Sequence, residues 1–161
     1  MSFDENDPDW FNEYGEPEDD DELANEMDKE NERVENLPVM VKAKEIFDIV
    51  SSLVDTIPED NDLYFLREQM LTDAAIIPAK VAGAEGGDVY TLRMENAVLI
   101  KLAARALVTH TYTCRMFNIS DERYLNLLRS AVDEFRVLFV DWVNTFDKSN
   151  DISDDWGELF R

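Results

Sequence analysis

Histidine and cysteine are almost absent from this 161-residue chain, which has one of each, His110 and Cys114. A single cysteine forms no internal disulfide, which fits a reducing compartment and makes the cytoplasm the expected location. A structural zinc needs four ligands, and the di-metal sites of helical bundles use Glu-x-x-His pairs. Neither set can be assembled from this sequence, so no metal or other cofactor is expected. No uninterrupted apolar run reaches the ~18 residues of a membrane span. The opening MSFDENDPDW lacks the basic and apolar regions of a signal peptide, so no membrane is expected as a partner. Segments of alternating polarity, the mark of half-buried strands, are missing, as is any fixed internal repeat. Basic residues are few: 15 Lys and Arg stand against 37 Asp and Glu, a net charge of -22. Phosphate binding depends on clustered Lys and Arg through counterion release, so nucleic acid is repelled at long range by the chain as a whole.

The charge that is present is concentrated at the ends. Residues 1–36 carry 16 acids and 2 bases, residues 37–146 carry 16 acids and 11 bases, and residues 147–161 carry 5 acids and 2 bases. The first 36 residues bury too little apolar surface to offset their ordering entropy and read as an acidic, disordered arm, with transient helix from Asp20 to Glu35. Trp10, Phe11 and Tyr14 stand out in that acid, either as incidental aromatics on a solubilising arm or as an acidic-aromatic docking motif that folds onto a partner. Residues 148–161 form a second acidic-aromatic tail, with Trp156 and Phe160.

Residues 37–147 between the tails have helical periodicity. PVMVKAKEIFDIVSSLVDTI places Ile46, Ile49/Val50, Leu53 and Ile57 on one face, begins at Pro38 and ends at Pro58. A second helix starts near Asn61, with Leu63, Leu66, Met70, Ala74, Ile77 and Val81 on one stripe. Phe65, Leu71 and Ile76 lie off it and suggest a second contact surface. A third helix, from about Val89 to Phe117 with Asp88 as its cap, turns Leu99, Ala103, Ala106/Leu107, His110, Cys114 and Phe117 to one side. A fourth, with Ser120 as N-cap, carries Tyr124, Leu128, Val132, Phe135, Leu138/Phe139, Trp142 and Phe146. Four amphipathic segments joined by short turns predict an all-α chain folded as an antiparallel up-and-down four-helix bundle.

Pro78 sits inside the second helix. It cannot donate to the Ala74 carbonyl, and in a helix interior that costs ~3 kcal/mol unless a kink takes it up. The small residues Ala74, Ala75, Ala79, Ala82 and Gly83 would let a neighbouring backbone approach there, and Gly86 and Gly87 end the helix. A phosphate-binding loop is a poor match, because AGAEGGD lacks the Lys-Ser/Thr ending and follows a helix.

LREQMLTDAAIIPAKVA also resembles the second-helix signature of the four-helix-bundle family related to 23S rRNA intervening-sequence proteins. The matching positions are Leu66, Gln69, Ala74, Ile77, Pro78, Val81 and Ala82. AKEIFDIVSSLVDTIPEDN is similar to that family's first helix and turn, and ENAVLIKLAARAL agrees more loosely. The chain departs from the pattern at Ala79 and Lys80, where the family has Asn after Ile-Pro, and at Gly83-Ala84-Glu85, where it has Glu-Gly. The resemblance implies a non-catalytic bundle that assembles with itself into a ring-like homo-oligomer, typically a homopentamer. The relatives also include the nucleic-acid-binding accessory protein of diversity-generating retroelements.

The residues themselves suggest little catalytic chemistry. His110 and Cys114 share a face, and a histidine satisfied by a backbone carbonyl beside a small apolar thiol accounts for both. The helical acids show no spacing that selects an acid/base pair. Two function classes follow. One is an oligomeric scaffold or adaptor that recruits a basic protein through Trp10, Phe11, Tyr14, Trp156 and Phe160. The alternative is a nucleic-acid accessory protein using Lys80 and the third-helix bases Arg93, Lys101, Arg105 and Arg115.

Overall fold

The computed structural model describes residues 20–62, 65–157 and 159–160. It is all-helical, with five α-helices and no strand among the described residues: α1 (Asp20–Glu35), α2 (Pro38–Val54), α3 (Leu66–Glu85), α4 (Tyr90–Met116) and α5 (Glu122–Val143). A 3-10 turn at Glu59–Asn61 follows α2. No helix among the described residues is long and apolar enough to cross a membrane.

The chain divides into two compact units, Met1–Arg33 and Val34–Arg161. The first holds most of α1, a regular helix where the sequence suggests only transient structure. Its exposed apolar residues include Leu23 and Met27, and a Glu30–Arg33 pair one turn apart, 2.6 Å, bridges its surface.

In the second unit α2, α3, α4 and α5 form a closed cycle of contacts: α2 on α3, α3 on α4, α4 on α5 and α5 back on α2. The sequence stripes explain this packing. Ile46, Val50, Leu53 and Ile57 are buried, as are Met70, Ala74, Ile77 and Val81 from α3. Pro38 occupies the first turn of α2, where its missing N–H costs nothing. Pro78 lies inside α3, which continues to Glu85. The small residues of α3 divide: Ala74 is buried, while Ala75, Ala79 and Ala82 face solvent. The close approach to α4 is at Gly83, where a Cβ would stand 3.2 Å from Asn96 Oδ1.

Several boundaries and faces differ from the sequence reading. The second bundle helix starts at Leu66, not Asn61, because Pro58 and the 3-10 turn hold the chain first and Phe65 adopts a left-handed φ of 57°. Leu99 is 44% exposed and Tyr124 45%, and their neighbours Ile100 and Leu125 are buried in their place. The N-cap of α5 is Asp121, which accepts the Arg123 backbone N–H at 2.8 Å, rather than Ser120. Asp88 does not cap α4. The Thr91 N–H at its start is met by the Asp151 carboxylate (3.1 Å), which also accepts the Thr91 hydroxyl (3.0 Å), while Asn150 O accepts the Tyr90 N–H at 2.7 Å.

The C-terminal segment is thereby pinned to the N-terminus of α4. It then turns sharply: Asp154 Oδ1 accepts the Trp156 backbone N–H at 3.1 Å, and Asp155 and Gly157 take left-handed φ values of 62° and 89°. Phe160 packs back against the core, whereas Trp156 is 85% exposed.

Candidate functional site

The α4 sequence VLIKLAARALV is apolar on more than one side, so one buried face cannot cover it. Ile100, Ala103, Ala104 and Leu107 are buried, while Leu102 on the next face is left 53% exposed. On α5, Val132 and Phe135 are buried, and Val140 on the neighbouring stripe is 50% exposed. The space between the two helices is a groove of about 860 Å³. Its floor is apolar, built from Ala104, Val108, Val132, Phe135 and Phe139, and Leu102 and Val140 form its lips.

The rim is basic. Lys101 and Arg105, one helical turn apart, stand on the α4 side, and Arg136 with Asp133 on the α5 side. Arg136 pairs with Asp133 at 3.4 Å, with both side chains well exposed, a weak pairing in water. Lys101 and Arg105 have no ion-pair partner among the described residues and remain uncompensated on an otherwise acidic chain.

The five bases singled out in the sequence are therefore not one strip. Only Lys101 and Arg105 come together. Lys80 is half-buried on α3. Arg93 turns inward: its Nη2 lies 2.5 Å from Glu85 Oε1 and its guanidinium carbon 4.1 Å above the Phe146 ring centroid. Arg115 stands near the far end of α4, 3.7 Å from Glu122. Sequence reasoning missed Arg136 as their neighbour. The signal was its place one residue after the buried Phe135, on the α5 edge beside α4. Of the aromatic candidates, Trp10, Phe11 and Tyr14 lie outside the described residues. Trp156 and Phe160 separate, one outward and one onto the core.

His110 and Cys114 also separate. His110 Nε2 sits 2.9 Å from Asp73 Oδ2, joining α4 to α3, so its partner is a carboxylate where a backbone carbonyl was expected. Cys114 is fully buried, and burial pushes its thiol up to about 11. Among the described residues no group of three or more His, Cys, Asp or Glu side chains is placed to hold a metal ion.

No protein-family model matches the chain, and no curated protein matches it.

Proposed function

We propose that the chain is a non-catalytic, self-assembling helical scaffold or adaptor that works by binding other protein surfaces. The observation that carries this reading is the open α4–α5 groove, apolar in its floor and lips and bordered by the uncompensated Lys101 and Arg105. Apolar surface left open on neighbouring helices marks interaction sites more often than isolated exposed residues do. The short connections from α3 to α4 and from α4 to α5, with each helix packed on the next, support an antiparallel up-and-down four-helix bundle. Pro78 would place a kink in its second helix. This arrangement is what the resemblance to the 23S rRNA intervening-sequence family implies, and with it a ring-like homo-oligomer, a homopentamer by analogy, in the cytoplasm. The acidic-aromatic ends are the natural contacts for a basic partner protein.

Absolute mass by light scattering after size exclusion tests the reading. A closed assembly near five times the 18.6 kDa chain is the expected result. A monomer at every concentration would overturn self-assembly.

The nucleic-acid alternative draws support from Lys101 and Arg105 alone. It expects salt-sensitive binding of RNA that strengthens when residues 1–36 are removed and weakens in Lys101→Glu/Arg105→Glu. No binding at low salt would end it.

A further inference from the structure

We propose that the α4–α5 groove is the seat for the Trp156 turn of a second copy of this chain. The inference rests on the self-assembly reading and supplies its contact.

The turn is organised to present its aromatic side chain. Asp151 holds its start at Thr91, and Phe160 holds its end against the core. Between these anchors the Asp154 carboxylate closes onto the Trp156 N–H, with left-handed backbone on both sides of Trp156. Non-glycine residues adopt φ above zero uncommonly, so Asp155 at 62° marks a defined turn rather than a featureless end. The result is an indole 85% exposed, with Ile152 and Leu159 also outward at 66% and 77%. An exposed tryptophan on an ordered turn is the residue type that most often anchors a protein interface. Its exposure also shows that it does not occupy its own chain's groove.

The groove complements this turn in two respects. Its floor of Ala104, Val108, Phe135 and Phe139 gives an indole apolar and aromatic surface to cover. Its rim offers the uncompensated Lys101 and Arg105 to the flanking Asp154 and Asp155 carboxylates, while Arg136 on the α5 side is paired with Asp133. On a chain with net charge -22, two copies repel on average, and a local match of opposite charge is what fixes one approach over others. Turn and groove are different surfaces, so the contact runs head to tail and closes into a ring when the rotation per copy allows.

Two full-length variants test the contact. Trp156→Ala removes the anchor, and Arg105→Glu/Val140→Glu spoils the rim and lip. All three positions are exposed, and an unchanged far-UV circular dichroism spectrum would confirm intact folds. By light scattering over a concentration series, the wild type is expected as a multimer and each variant as a monomer. Trp156→Ala is expected to weaken the contact by about 30-fold or more, as a central interface tryptophan does. An equimolar mixture of the two variants retains one intact turn and one intact groove, so it is expected to yield a 1:1 dimer.

A wild-type multimer whose mass neither variant changes would overturn the proposed seat and leave self-assembly standing. Loss of assembly in Trp156→Ala without recovery in the mixture would overturn the groove as the partner surface. A monomeric wild type would overturn both.

Discussion

Trp142 donates its indole N–H to Glu85 at 2.7 Å, and the Arg93 guanidinium meets the same carboxylate oxygen at 2.5 Å. Three helices are tied by one side chain: Glu85 ends α3, Arg93 lies in the first turn of α4 and Trp142 in the last turn of α5. The Glu85 side chain is 7% exposed and that of Arg93 is 14%. Phe146 completes the cluster, edge-on to Trp142 and beneath the guanidinium.

This arrangement sets the first prediction. Removing one member of a buried, hydrogen-bonded pair leaves the other charge without compensation, which costs about 3–5 kcal/mol. Glu85→Ala should lower stability by that order in urea denaturation followed by far-UV circular dichroism. Glu85→Gln keeps an acceptor for the indole and should cost less. Equal loss from both would show that the retained neutral acceptor contributes nothing and that the effect lies wholly in the carboxylate charge.

Asp151 carries the second prediction. It supplies the acceptor that the start of α4 lacks from its own sequence, because Val89 at the N-cap has no side-chain oxygen. Asp151→Ala should cost about 1 kcal/mol, the usual worth of a cap. It should also release the segment beyond residue 147, read as faster proteolytic trimming of the C-terminus. Unchanged trimming would mean that the Asn150–Tyr90 hydrogen bond and Phe160 packing hold the segment without Asp151.

These two clusters separate what the sequence reveals from what it hides. The stripe Met70, Ala74, Ile77, Val81 is legible from its steps of three and four, which continue the spacing set by Leu66, although Leu71, Ala75, Ile76 and Ala79 between its members are apolar too. The face of α4 is not: with VLIKLAARALV nearly all apolar, periodicity does not choose between Leu99 and Ile100, and packing against α3 and α5 decides for Ile100. The cap of α4 comes from 60 positions away, so no local pattern signals it. Arg93 reads as one more surface base until Glu85 and Phe146 are brought beside it. The groove is half legible: Lys101 and Arg105 share a face by spacing, but the α5 side that makes them a rim depends on tertiary structure.

The third prediction concerns acid stability at the start of α5. The Arg123 side chain hydrogen-bonds the Asp121 carboxylate, and with the Arg123 backbone N–H it holds that group down to about 2, from an ordinary value of 3.8. A carboxylate with a depressed folded-state pKa contributes stability that is present above its unfolded value and lost as pH falls through the folded one. Asp121→Asn keeps a capping oxygen but removes the charge. Its urea midpoint should lie below that of the wild type at neutral pH, and the gap should close between about pH 4 and pH 2. A gap that persists to pH 2 would assign the effect to geometry rather than charge.

Cys114 gives the fourth prediction. The thiolate is the reactive form, and a thiol raised to about 11 is ionised on the order of one part in a thousand at pH 8. Cys114 is also fully enclosed, on the buried face of α4. Reaction with an aromatic disulfide reagent should therefore be very slow in the native protein and fast in urea. At high reagent concentration the native rate should become independent of reagent, because opening of the helices around α4 then limits it. Deleting residues 148–161 should speed that opening if the C-terminal segment clamps the start of α4, and should leave it unchanged if the segment serves contacts between copies alone. A native rate that rises in proportion to reagent without limit would place the thiol on an accessible path and contradict its enclosure.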